Sequence, residues 1–131
     1  MRFLREVFLF GVSGVLGFLV DTAALYALQI YFGPFVARGF SFFLAVLTTW
    51  IFNRTITFWN RRSGQKKQTE FFAYLVLMLG GGAVNYAVYV WLVLNYQVVA
   101  ENLVIGVAVG SLAGMCINFA TSRLMLFRHR A

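Results

Sequence analysis

Residues 7–32 read VFLFGVSGVLGFLVDTAALYALQIYF, with Asp21 as the one charged side chain. At 1.5 Å of rise per residue, a helix over this run is about 39 Å long, enough to cross a hydrocarbon core of about 30 Å. The run therefore reads as a membrane-spanning helix that carries an acid. A carboxylate in hydrocarbon is costly, so an intramembrane acid is by default a candidate functional residue.

Working outward, three more apolar blocks follow, at 35–58, 71–94 and 103–127. Each meets the length of a spanning helix. The chain is 61% hydrophobic and 11% charged, and a soluble domain of 131 residues has no interior large enough to hide that apolar surface. Gly33-Pro34 separates the first two blocks and fits a tight turn. Trp59–Thr69 is a polar, basic loop, and Tyr96–Asn102 is a short loop with Glu101 and no Lys or Arg. The first block is too long, and lacks the cleavage pattern, for a signal peptide. The expected architecture is an all-α membrane protein, one domain over residues 1–131.

Charge sets the expected orientation. Arg2 and Arg5 precede the first span. Arg54, Arg61, Arg62, Lys66 and Lys67 surround the middle loop, and Arg123, Arg128 and Arg130 end the chain. Ten of the eleven basic residues thus fall on one side, and only Arg38 on the other. Both termini and the middle loop are expected on the cytoplasmic side of the inner membrane. The excess of positive charge belongs to this topology and points to no nucleic-acid partner.

The two hairpins repeat. An offset of 64 aligns Glu6 with Glu70, Phe8 with Phe72, Gly17 with Gly81 and Asp21 with Asn85; an offset of 69 aligns Ser41 with Gly110, Asn53 with Ser122, Arg54 with Arg123 and Phe58 with Phe127. Repeat 1 covers about 6–58, the basic loop 59–69 and repeat 2 about 70–127. Two spans per repeat bring both in from the same side, so the repeats are parallel rather than inverted.

Small or short polar residues recur every four positions at Ala37, Ser41, Ala45, Thr49 and Asn53, and at Gly106, Gly110, Gly114, Asn118 and Ser122. Such stripes let helix backbones approach, and Asn, Ser and Thr bond across the contact. Packing is the expected role of the small residues, whereas Asn53 and Asn118 are balanced between packing and lining a pore. Gly11, Gly14 and Gly17 lie within a span and follow no strand, so they are packing positions rather than a dinucleotide fingerprint. Gly80-Gly81-Gly82 is expected to loosen the third span. Arg38 is the nearest cation to Asp21. A structural ion pair and a polar step on a substrate path both fit these two residues. Arg54 and Arg123 anchor the cytoplasmic ends of spans two and four, and their guanidinium forks also suit a phosphate. Arg61, Arg62, Lys66 and Lys67 read as simple attraction to anionic lipid. The single cysteine, Cys116, forms no intramolecular disulfide, and the single histidine, His129, stands next to the C-terminus. No catalytic constellation, metal cluster or cofactor motif is visible, so no enzyme activity and no cofactor are expected.

With these residues in place, the chain resembles the GtrA family of small four-span membrane proteins. The likeness rests on Phe10-Gly11…Gly14…Gly17…Asp21, on Ala37-Arg38-Gly39-Phe40-Ser41-Phe42, and on Asn53-Arg54…Thr57-Phe58. A weaker echo is Asn118-Phe119…Ser122-Arg123…Phe127. The resemblance implies translocation of a polyprenyl-phosphate-linked sugar, such as bactoprenol-linked glucose, for cell-surface polysaccharide modification. A separate glycosyltransferase would make that substrate. It further implies that Arg54 and Arg123 receive the phosphate on one side and Arg38 on the other. Asn53, Asn118, Asn85 and Asp21 would then offer hydrogen bonds to the sugar. A homodimer would enlarge the cavity, with the glycine stripe of the last span as its contact. Two other functions compete. A non-transporting anchor for a glycosyltransferase would depend on the basic loop and tail. A small multidrug exporter also has four helices and a membrane acid, but it is at odds with so strong a charge bias.

Overall fold

The computed structural model describes residues 2–130, apart from the side chains of Pro34 and Phe35. Among them, four helices are long and apolar enough to cross a membrane. We number the helices α1 (Arg2–Gly33), α2 (Val36–Thr57), α3 (Lys67–Asn95), α4 (Gln97–Glu101) and α5 (Leu103–Leu126). In lipid every backbone N–H and C=O must be satisfied within the segment, which is why these apolar runs are helical from end to end. The surface confirms the solvent they are built for. Ile30 and Tyr31 are both 79% exposed, while Glu6, Ser41, Asn53 and Glu70 are buried. This is an outside made for hydrocarbon and an inside that collects polar groups.

The break between α1 and α2 is made by Gly33, at φ 79° and ψ 166°. Only glycine adopts that conformation without strain. Pro34 follows, and its missing N–H is harmless in a helix's first turn. By contrast, Gly80, Gly81 and Gly82 do not interrupt α3, which runs unbroken from Lys67 to Asn95. The expected loosening there is absent: Gly81 makes room for Asn118, and Gly80 and Gly82 stand beside open space. The connection after α3 also differs from expectation: it folds into the short α4 rather than a loop.

Two compact units make up the chain. Unit 1 comprises residues 1–71 and 127–131, and unit 2 residues 72–126. In unit 1, α1 and α2 approach closely at Gly17, where a Cβ would stand 2.6 Å from Thr49 Cγ2. Gly11 and Gly14 face open space, so of the three glycines only Gly17 is a close contact. The α2 stripe packs as expected, with Ala37, Ser41, Ala45 and Asn53 buried. Two short strands, β1 (Arg61–Arg62) and β2 (His129–Arg130), pair antiparallel and tie the end of the chain to the basic loop. No hydropathy pattern announces them.

In unit 2, α5 lays Gly106, Gly110 and Gly114 onto α3. A Cβ at Gly110 would lie 2.6 Å from the Asn85 backbone oxygen, and one at Gly114 2.7 Å from that of Gly81. Side chains at these positions would force the helices apart. The glycine stripe is therefore consumed inside the unit and leaves no glycine face for a second copy. This corrects its expected role as the dimer contact.

Candidate functional site

The last turn of α2, Asn53–Thr57, is a π-helix; the Phe58 N–H reaches back to the Asn53 carbonyl at 2.8 Å. The wider turn leaves terminal carbonyls that need donors. Arg5, arriving from α1, supplies them, donating to the Ile56 carbonyl at 3.0 Å and the Thr57 carbonyl at 3.3 Å. A cation at this end also suits the helix dipole. The Thr57 hydroxyl donates to Asn53 Oδ1 at 2.7 Å, which closes the turn from inside.

The same turn carries Arg54 toward Glu70 at the start of α3. Arg54 Nε donates to Glu70 Oε1 at 2.8 Å and its terminal nitrogen to Oε2 at 3.4 Å. Trp50 Nε1 adds a bond to Oε1 at 3.0 Å, and the Ser63 hydroxyl donates to Oε2. The carboxylate is thereby held by four donors, and the guanidinium also lies over the Trp50 ring, 5.6 Å from its centroid. A second pair stands nearby in the same unit: Arg61 Nε donates to Glu6 Oε1 at 3.2 Å, with both side chains buried. Aromatic rings pack about the cluster. Phe58 stacks on Phe127 at 5.2 Å, and Phe71 meets Trp50 edge-on at 5.2 Å. Such dry surroundings strengthen the charge-assisted bonds.

Arg54, Arg61, Arg62, Thr55, Trp59 and Glu70, with Phe127, line a cavity of about 270 Å³. Of the three guanidinium groups on its wall, Arg54 is paired with Glu70 and Arg61 with Glu6, so the cavity keeps one uncompensated positive charge, that of Arg62. A guanidinium has five N–H donors, and Glu70 engages Arg54 through two nitrogens. Arg54 is thus held in place and still has donors to offer. Arg62 is oriented by its own bonds to the Trp59 and Arg61 carbonyls at 2.8 and 2.9 Å. Chemically, the arrangement matches an oxyanion next to an aromatic wall. At the other end of unit 1, Asp21 accepts from Arg38. Asp21 stands 15 residues beyond Glu6 on α1, about 22 Å along the helix.

A family model described as "GtrA/DPMS, transmembrane domain" matches residues 9–130. The chain belongs to this family. Among curated proteins it has no match.

This GtrA/DPMS domain sorts the seven residues singled out from its sequence by unit. In unit 1, Asp21 and Arg38 form an ion pair. Asn53 is buried, and its Oδ1 accepts from the Thr57 hydroxyl inside the π-turn. Arg54 lines the cavity but is paired, not bare. In unit 2, Asn118 and Asn85 sit on the α3–α5 contact. A Cβ at Gly81 would lie 1.7 Å from Asn118 Oδ1, so glycine there is what gives Asn118 room. Arg123 lies in the second π-helical turn, Ser122–Leu126, half-buried. Both arginines therefore occupy the second position of a π-turn, at aligned places in the repeat.

Sequence reasoning missed the two buried acids. Glu6 and Glu70 were visible as an aligned pair at the start of spans one and three, and that was the available signal. Arg61, expected to be a surface cation for lipid, is instead buried against Glu6. The GtrA/DPMS domain thus spends two of its basic residues on internal carboxylates.

Proposed function

We propose that this protein translocates a polyprenyl-phosphate-linked sugar across the inner membrane for cell-surface polysaccharide modification, with both termini cytoplasmic. The observation that carries this reading is the arginine-lined cavity of unit 1, at the end of the chain where the basic residues concentrate. The substrate has an apolar tail, a phosphate and a polar sugar. Arg54, held by Glu70, and Arg62 receive the phosphate, and Trp59 packs on the sugar or the first isoprene units. Arg38 meets the phosphate at the opposite end, where Asp21 keeps it extended. The tail stays in lipid throughout. The protein is a carrier without catalytic chemistry, a separate glycosyltransferase supplies the substrate, and a homodimer provides the path with its full width.

A second reading has its own support. The β1–β2 pairing sets Arg62 opposite His129 and brings Arg130 to the basic loop; these three exposed groups form a basic platform suited to recruiting a glycosyltransferase. The multidrug-exporter reading is weaker, since the Asp21 carboxylate already has a cation in Arg38.

The test is a flipping assay in proteoliposomes with a short-chain polyprenyl-phosphate glucose. Wild type is expected to equilibrate the lipid between leaflets. Arg62→Ala, which leaves both buried ion pairs intact, is expected to slow it about tenfold, and Arg54→Lys more. Unchanged rates in both variants would remove the phosphate role. A wild type that flips nothing yet retains a glycosyltransferase at the membrane favours the anchor.

A further inference from the structure

Unit 2 has an open groove of about 370 Å³, lined by Gly82, Asn85, Tyr86 and Tyr89 of α3 and by Val107 and Ser111 of α5. Among the described residues, the side chains of Asn85, Tyr86, Tyr89 and Ser111 make no hydrogen bond, although other polar side chains of the unit do, such as Asn95 and Thr121. An amide and three hydroxyls left unpartnered within a hydrocarbon span are costly. The groove therefore calls for an occupant that brings polar groups of its own.

The spacing along α3 says what that occupant is. Relative to Tyr86, the four α3 residues stand at −4, −1, 0 and +3. In knobs-into-holes packing, a side chain enters a hole made by four residues of the facing helix. For two identical parallel helices, the hole facing a given position is built from −4, −1, 0 and +3 of the other copy. The α3 wall of the groove is thus the hole for Tyr86 of a second α3 at the same height. Gly82 leaves the hole open, since a Cβ there would meet nothing within 4 Å. Tyr86, 70% exposed, is the knob. Phe72 and Leu79 precede it at intervals of seven, both more than half exposed, and continue the seam. The hole is fixed from behind: Gly110 and Gly114 pack on Asn85, and a Cβ at Gly106 would stand 2.9 Å from the Tyr89 ring. The chemistry agrees. A twofold contact places a patch against itself, so the patch must be self-complementary. Amides and hydroxyls both donate and accept, and the lining holds no acid or base to repel its own copy. Two copies inserted the same way share a twofold axis along the membrane normal, which makes their α3 helices parallel.

We propose that α3 is the contact between two copies of this chain, with Tyr86 of each seated in the hole formed by Gly82, Asn85, Tyr86 and Tyr89 of the other. The amides and hydroxyls that lack partners in one copy bond across the contact. The inference rests on the dimer in the reading above and not on its cargo. It moves the contact from the glycine stripe of α5, which is used within the unit, to the exposed face of α3.

The experiment uses the full chain in liposomes and has two arms. In the first, Cys116→Ser removes the native thiol and either Tyr86→Cys or Ala87→Cys introduces one; Ala87 is exposed and lies about 100° around α3 from Tyr86. Oxidation is expected to link Tyr86→Cys copies at least about tenfold faster than Ala87→Cys copies. In the second, single-molecule photobleaching counts copies over a range of protein densities. Gly82→Leu, which fills the hole without a clash in its own unit, is expected to weaken the dimer about tenfold or more. Tyr86→Phe and Asn85→Ala, which remove one polar group each, are expected to weaken it about threefold. Linking at Ala87→Cys as fast as at Tyr86→Cys overturns the proposal, as does a Gly82→Leu dimer as tight as wild type. A wild type that stays monomeric at every density overturns it too, because a lipid or another protein then fills the groove. The flipping assay keeps the two readings apart. A protein that links at Tyr86→Cys and flips nothing retains this contact and loses translocation, whereas a monomer that flips lipid loses this contact and retains translocation.

Discussion

Replacing Glu70 by Gln tests the central cluster most directly. The amide keeps the size of the side chain and one carbonyl acceptor but removes the charge that Arg54 faces. Glu70 is 2% and Arg54 25% exposed, so solvent screens this pair poorly. Removing one partner of a buried pair costs about 3–5 kcal/mol. Arg54 retains some exposure and its Trp50 ring, which places the expected loss at the lower end, about 3 kcal/mol. The assay is equilibrium unfolding in mild micelles titrated with a denaturing detergent, applied to wild type, Glu70→Gln, Arg54→Gln and the double variant. If the two side chains stabilise each other, the double variant loses about as much as either single one, and the coupling is about 2–3 kcal/mol. Additive losses, within about 0.5 kcal/mol, would refute the pairing as a source of stability. A Glu70→Gln loss below about 1 kcal/mol would show that Trp50 and Ser63 hold the turn without the charge.

Two further outcomes follow from the packing. Gly81→Ala places a methyl carbon where Asn118 Oδ1 now lies, and is expected to destabilise by about 1–3 kcal/mol; adding Asn118→Ala should restore most of that loss in the same unfolding assay, and failure to restore it would mean the clash is with backbone. Asp21→Asn leaves the partly exposed Arg38 without its carboxylate; the flipping rate is expected to fall several-fold while folded yield on size-exclusion chromatography stays near wild type, and a lost fold with normal residual turnover would make the pair purely structural.

The spans were legible because membrane crossing leaves a local mark: a helix of sufficient length, apolar and with few charges. The observed α2 and α5 start and end within about two residues of the apolar blocks. The stripes were legible for the same reason, since spacing four is a property of one helix. Asp21 and Arg38 could be matched because the topology expected from the charge bias left Arg38 as the sole basic residue on its side. The fate of Arg54 and Arg61 was not legible. In the sequence each is a cation near a membrane surface, and the rule that places such cations holds whether or not a carboxylate waits in the fold. The π-turn that aims Arg54 has no residue signature either; Asn-Arg-Thr-Ile-Thr and Ser-Arg-Leu-Met-Leu share little beyond the arginine.

The sequence by itself determined the class of solvent this protein inhabits, the number of its spans, the break at Gly33 and the faces on which small residues recur. These depend on composition and on spacing along one chain segment. Only the tertiary structure decided which charges are spent inside and which remain available. Arg61 finds Glu6 from 55 positions away and Arg54 finds Glu70 across the basic loop. An ion pair in a dry interior forms where geometry brings two desolvated groups within bonding distance, and no local pattern encodes that distance. The same holds for the glycines of α5. Their spacing announces a close contact, but only the fold shows that the contact is α3.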